Sequence, residues 1–239
     1  METKKVTRRE ALGLLGAAGA MLSSACGSDT PTSPTDVSAA SVTPSGTAGA
    51  ACAVAPPETV GPYPSLADLI RSDIREGRAG TPVGLTLSVV NVNSGCSPVP
   101  NAVVDIWQCD AEGHYSQYTQ PGFDGRSQTF LRGIQATDSS GQVTFTTIYP
   151  GWYQGRATHI HIEVSINGRS VKVTQIAFPE TVTSQVYTTG VYAARGQNPT
   201  SNTRDMVFAD SVSSELATVT GDPQGGYVAR FTVGIAISS

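Results

Sequence analysis

The sequence predicts an all-β domain: two antiparallel sheets packed as a sandwich, with long loops that carry chemistry. Three observations point there. Glycine, proline, threonine and valine are plentiful, and long apolar patterns of helical period are absent. Short apolar runs recur between Gly, Asn, Asp and Ser clusters, with no strand–helix–strand rhythm. Two tight turns, Asp138-Ser139-Ser140-Gly141 and Asn167-Gly168, sit where hairpins are expected.

The first fifty residues stand outside that domain. Residues 1–26 read as an export signal: a basic start with Arg8-Arg9, an apolar run over 11–22, then small residues. The arginine pair points to the twin-arginine route, which carries folded, often cofactor-loaded proteins. Ser23-Ser24-Ala25-Cys26 resembles a lipoprotein cleavage box, with its branched apolar residue, Leu22, one place early. A working box acylates Cys26 and attaches the protein to a membrane; the alternative is plain cleavage with Cys26 lost or free. Residues 27–50 have almost no large apolar side chains and read as a disordered tether. The expected location is exported, periplasmic or extracellular.

Residues 51–239, about 190, suffice for one domain with a real core. The net charge of −4 and the lack of any Lys/Arg stripe in that part exclude nucleic acid as a partner. Of the four cysteines, Cys52, Cys96 and Cys109 lie in the domain, and three cannot all pair. Cys109 ends an apolar strand and reads as buried. The expected bridge is Cys52–Cys96, which pins the start of the domain to a turn; the alternative is three free thiols.

Along the domain, residues 55–64 are Pro-rich and extended. Residues 65–76 carry a weak helical pattern opened by Ser65-x-x-Asp68, a capping-box-like signal. Strands are expected at 83–93 and 102–107, then an irregular loop over 110–128. Residues 129–137 and 142–149 are expected to pair as a hairpin across the Asp138–Gly141 turn. Strands at 157–166 and 171–178 flank Asn167-Gly168. Residues 179–210 read mostly as loop, 212–218 as one short helix, and 227–236 as a closing strand.

The chemistry centres on residues 149–164, YPGWYQGRATHIHIEV, which hold two of the three histidines. Side chains alternate along a strand, so His159, His161 and Glu163 share one face and Ile160, Ile162 and Val164 the other. Two imidazoles on one strand are the start of a metal site, although H-x-H alone equally describes surface histidines. Tyr115, in Gly113-His114-Tyr115-Ser116, and Tyr153, in Pro150-Gly151-Trp152-Tyr153, are candidate oxygen donors on nearby loops, although a tyrosine in a loop is more often a half-buried packing residue. Trp152 reads as packing.

These segments resemble the intradiol ring-cleavage dioxygenases. The resemblance is carried by ETVGPYP (58–64), AVVDIWQCDAEGHYS (102–116), the stretch 129–164 and VTQIAF (173–178). The combination Gly-x-Tyr-Ser, Pro-Gly-x-Tyr, Arg-x-x-His-x-His and Thr-Gln is far more specific than any piece. The resemblance implies Fe(III) held by Tyr115, Tyr153, His159 and His161, a donor set that favours the ferric ion. It implies that Arg156 polarises the substrate, that Gln175 lies near the oxygen site, and that Gly61, Pro62 and Tyr63 line the substrate cavity. It implies a catechol-type diol and O2 as substrates, ring cleavage between the hydroxylated carbons, and a muconate-type diacid as product. The single-domain, exported branch of the family is the better match, because the helical dimerisation segment of the cytoplasmic enzymes has no counterpart. The oligomer is left open. Two other readings stand beside it: a non-catalytic, anchored sandwich that binds a ligand, and a zinc hydrolase using His159, His161 and Glu163.

Overall fold

The computed structural model describes residues 52–238; the expected signal, the expected tether and Cys26 lie outside the described residues. Eleven strands are found there: β1 (Pro82–Asn91), β2 (Ser97–Pro98), β3 (Val103–Trp107), β4 (Thr119–Gln120), β5 (Phe123–Asp124), β6 (Arg132–Ala136), β7 (Gln142–Ile148), β8 (His159–Ile166), β9 (Arg169–Ala177), β10 (Thr218–Asp222) and β11 (Gly226–Ile235). Two short α-helices, α1 (Glu180–Val186) and α2 (Val212–Glu215), lie between β9 and β10.

The strands form the expected sandwich. In one sheet β1 is central: β11 runs beside it, β7 pairs with Pro82–Ser88, and β2 pairs with Val90 and Asn91. β10 continues this sheet beyond β11 as its hairpin partner. The other sheet has the order β6-β3-β8-β9. Pairing is antiparallel throughout except for β1 with β11, which run parallel. The period-two pattern does the sorting. Along β1, Val83, Leu85, Leu87 and Val89 are buried while the residues between them are not. They meet Val104 and Ile106 of β3 and Ile160, Ile162 and Val164 of β8 in one apolar core. Burying a side chain of this kind contributes roughly 1.5–3 kcal/mol.

Several expectations are corrected. Residues 65–76 form no helix. They run extended across the sheets, with isolated bridges Ile70↔Ile134 and Asp73↔Thr146. Backbone pairing to both sheets outcompetes a weak local cap. The turn at Asp138 is real, with the Asp138 N–H bonded to the Gln142 carbonyl and the Gly141 N–H to that of Asp138. Its flanks do not pair with each other: β6 joins β3, and β7 crosses to β1 in the other sheet. Likewise β1 and β3, the strands expected at 83–93 and 102–107, lie in different sheets, since β3 belongs to the histidine-bearing sheet. The segment 179–210 is mostly irregular, as expected, and also contains α1 and two 3-10 turns. Asn167-Gly168 does close the β8–β9 hairpin. Cys52 and Cys96 are joined by a disulfide, and Cys109 is a buried thiol.

Candidate metal centre

The face of the second sheet opposite the apolar core is aromatic and polar. In register across it lie Trp107 of β3, His161 of β8 and Gln175 of β9. The Trp107 ring stacks on His161 with centroids 5.0 Å apart and planes 5° apart. Here Trp107, Cys109 and Tyr115 form a second buried cluster, with Tyr63 and Tyr153 packed against it.

Two loops bring the tyrosines to the histidines. After β3 the chain turns around Asp110, whose carboxylate accepts the N–H groups of Glu112 and His114 and pairs with Arg78. That turn presents Tyr115. The loop after β7 presents Tyr153, and the two loops touch backbone to backbone, the Gly151 N–H donating to the Asp110 carbonyl at 3.1 Å. The approach depends on Gly113, which has φ +87°; a Cβ there would lie 2.3 Å from the Trp152 carbonyl oxygen.

The four predicted ligands converge. His159 Nε2 is 3.1 Å from His161 Nε2, and the Tyr115 hydroxyl is 3.4 Å from His159 Nε2. The Tyr153 ring lies 5.5 Å from the His159 ring and 5.7 Å from that of Tyr115, centroid to centroid. His159 Nδ1 lies 2.6 Å from the Ala157 carbonyl, to which it donates, leaving the lone pair on Nε2. Burial, with Arg156 adding to it, pushes His159 down to about 3. Burial and then His159 hold His161 well below its ordinary value. Both imidazoles are therefore neutral at neutral pH. Burial raises the phenols: Tyr153 to about 12, opposed by Arg156, and Tyr115 well above its ordinary range. Two buried imidazoles whose Nε2 atoms face each other, beside two phenols that cannot ionise unaided, fit a cation that would satisfy all four donors.

The tyrosines are unequal. Tyr115 is fully buried, stacked on Tyr63 at 4.8 Å, with the Arg132 guanidinium 5.9 Å from its ring centroid. Tyr153 is only partly buried and precedes exposed Gln154 and Gly155.

The extended segment 58–64 straps across the site. The Glu58 N–H bonds to the Val173 carbonyl, and the Thr59 carbonyl accepts from Gln175 Nε2 at 2.8 Å. Gly61, at φ +72°, sits directly on His161; a Cβ there would lie 2.8 Å from His161 Cε1. Pro62 is exposed and Tyr63 stacks on Tyr115, so the strap covers the centre. Arg156 is buried, with Nη2 2.6 Å from Gln175 Oε1 and Nη1 3.4 Å from the Tyr153 hydroxyl.

Two residues of this site were not found by sequence reasoning. Arg132 donates to the Tyr63 carbonyl and to the hydroxyl and carbonyl of Ser116, tying strap to ligand loop. An arginine within an apolar strand was the available signal. Asp205 pairs with Arg156, and no motif announced it. His114 stacks on Phe123 at 4.3 Å, and Trp152 bonds to the Gly196 carbonyl. Among the described residues, the only close grouping of His, Cys, Asp and Glu donors is Asp110, Glu112 and His114. Glu163 therefore does not complete a carboxylate-bearing site with His159 and His161.

Comparison with known proteins agrees with this architecture. The sequence model of a family described as "Dioxygenase" matches residues 59–197. A solved intradiol ring-cleavage dioxygenase from Tetranychus urticae superposes with a TM-score of 0.70 at 32% identity, covering 77% of this chain and 95% of that one. The chain belongs to the intradiol ring-cleavage dioxygenase family. Within it, the chain is 32% identical to the protocatechuate 3,4-dioxygenase beta chain of Burkholderia cepacia over 47% of its own length and 51% of that protein. It is 35% identical to catechol 1,2-dioxygenase of Candida albicans over 33% of its length and 31% of that one. The chain thus spans about half or less of the curated relatives it matches. The family match covers the strap, both tyrosine loops, Arg156, β8 and Gln175.

Proposed function

We propose that this protein is a non-haem Fe(III) dioxygenase that cleaves catechol-type diols between their hydroxylated carbons, using O2, to give muconate-type diacids. The observation that carries the reading is the convergence of Tyr115, Tyr153, His159 and His161 into one buried cluster, with His159 Nε2 and His161 Nε2 3.1 Å apart. Two phenolates and two neutral imidazoles suit a hard trivalent ion, whereas catalytic zinc favours histidine with carboxylate or cysteine. Once bound, iron would supply a Lewis-acidic point that holds the diol in its deprotonated, electron-rich form, in which its ring can react with O2.

The chain's own groups do the rest. Tyr115 is wedged between Tyr63 and Arg132 and is the fixed donor. Tyr153 sits in the more exposed loop, and its oxygen, once free, has a high enough proton affinity to take a proton from the diol. Arg156 then aims Nη1 and Nη2 at the space between Tyr153 and Gln175, where charge develops on the diol oxygen. The strap residues Gly61, Pro62 and Tyr63 close over His161 and Tyr115 and exclude water. A protein exported in this way, held to a membrane through acylated Cys26, would act on diols outside the cytoplasm.

The test is product analysis. Iron-loaded protein supplied with catechol and labelled O2 is expected to give the diacid with both labelled atoms retained. A semialdehyde product, or no O2 uptake by iron-loaded protein, would contradict the reading.

A further inference from the structure

Arg156 has a buried anion along one edge and the candidate centre along the other. Its Nε lies 3.1 and 2.9 Å from the two carboxylate oxygens of Asp205, which is fully buried. The same carboxylate accepts the backbone N–H groups of Ala157 and Val207. Those amides hold the anion in one place, so the guanidinium has one orientation, with Nη1 toward Tyr153 and Nη2 on Gln175. The other buried cation beside the site, Arg132, already gives its donors to Tyr63 and Ser116. The centre is therefore flanked by positive groups whose charge or donors are already engaged.

We propose that Asp205 is a positioning residue that acts through Arg156, fixing the guanidinium edge-on to the site and cancelling its charge. Arg156 then meets the bound diol as an aimed hydrogen-bond donor inside an ion pair, and the site gives no advantage to diols bearing an anionic ring substituent. The inference rests on the function proposed above and goes beyond it by tying substrate preference to a residue outside the ligand set. An unpaired guanidinium in the same buried position would attract a carboxylate strongly, because the surrounding dielectric screens little.

The experiment uses the full, iron-loaded chain as wild type, Asp205→Asn and Asp205→Glu. Iron content, anaerobic dissociation constants for catechol and for 3,4-dihydroxybenzoate read from the visible band, and kcat and KM with catechol are measured. Asp205→Asn is expected to keep its iron, to shift the affinity ratio toward dihydroxybenzoate by about tenfold, and to lose about tenfold in kcat. Asp205→Glu, which keeps the charge but moves it, is expected to lose kcat with the affinity ratio unchanged. An Asp205→Asn protein whose two affinities change by the same factor would overturn the proposal, since a merely structural role predicts that result. Should Asp205→Asn fail to fold, wild-type kcat in Asp205→Glu would overturn it and a loss of kcat at unchanged KM and iron content would support it. Wild-type protein that binds iron but responds to neither diol would sink the proposed function, and this inference with it.

Discussion

Nε2 of His159 and Nε2 of His161 face each other across 3.1 Å on adjacent same-face positions of β8. With His159 Nδ1 donating to the Ala157 carbonyl, the His159 Nε2 lone pair faces His161 Nε2, whose own Nδ1 is buried without a partner. Without a metal, His161 donates its Nε2 proton across that gap; a cation would replace the proton, and the following expectations start from that exchange.

Removing either imidazole should cost the metal. His159→Ala and His161→Ala are each expected to weaken iron binding by at least about 100-fold, whereas Tyr153→Phe keeps iron and loses most turnover. Tyr115→Phe should mainly shift the visible band. Iron content per chain and turnover of the four variants check this. Tyr153→Phe turning over at the wild-type rate would make that tyrosine a packing residue.

Gly61→Ala should be damaging out of proportion to its size. Its φ of +72° is unfavourable for alanine, and the new Cβ would press on His161 Cε1. A loss of about 1–3 kcal/mol in stability is expected, together with weaker iron binding. Denaturant unfolding and metal analysis measure both. A stable Gly61→Ala protein with normal iron content would show that the strap does not rest on His161.

The disulfide should matter for stability more than for chemistry. Cys52 and Cys96 are 44 residues apart in sequence, a loop whose closure corresponds to about 4 kcal/mol by chain entropy. The pair Cys52→Ser and Cys96→Ser should lower unfolding stability on that scale and leave turnover intact below the melting range. Non-reducing peptide mapping should find these two joined. Burial raises the Cys109 thiol far above its ordinary value, so Cys109 should resist alkylation until the protein unfolds.

Stability should fall as the pH rises toward neutrality. Glu215 is buried; its Oε2 accepts from the Ser211 hydroxyl, its Oε1 has no donor, and the carboxyl of Glu58, the first residue of the strap, acts on it. Burial raises Glu215 to about 7, against the Ser211 hydroxyl and with the help of Glu58. Glu58 is also raised, by burial first. The folded state therefore binds more protons than the unfolded one between 4.5 and about 7. Stability from this pair is fully present below that window and is lost as pH rises through it. The melting temperature should drop between about pH 4.5 and 7, and Glu215→Gln should flatten the slope. An identical slope in that variant would contradict the assignment.

Much of the site was legible because its residues lie close in sequence or at fixed periods. Alternation along 159–164 separated the histidines from Ile160, Ile162 and Val164, and Asn167-Gly168 marked the β8–β9 turn. The β6–β7 hairpin was misread because a tight Asp-x-x-Gly turn looks the same whether its flanks pair or diverge to opposite sheets. Residues 65–76 were misread because a local cap signal carries no information about the backbone partners, Ile134 and Thr146, that win. Asp205 was invisible: 49 residues separate it from Arg156, in an irregular segment without period. Long-range ion pairs of that kind are settled by packing, not by pattern.

The ferric site is tested most directly by one spectrum. Iron-loaded wild-type protein, kept free of O2, is titrated with catechol while the visible absorption is recorded beside iron content. A ferric-tyrosinate band that moves to longer wavelength and saturates near one diol per iron is the expected result. Colourless protein after iron-replete preparation, or a coloured centre whose band catechol leaves unchanged, would contradict the claim that Tyr115, Tyr153, His159 and His161 form a diol-binding ferric site.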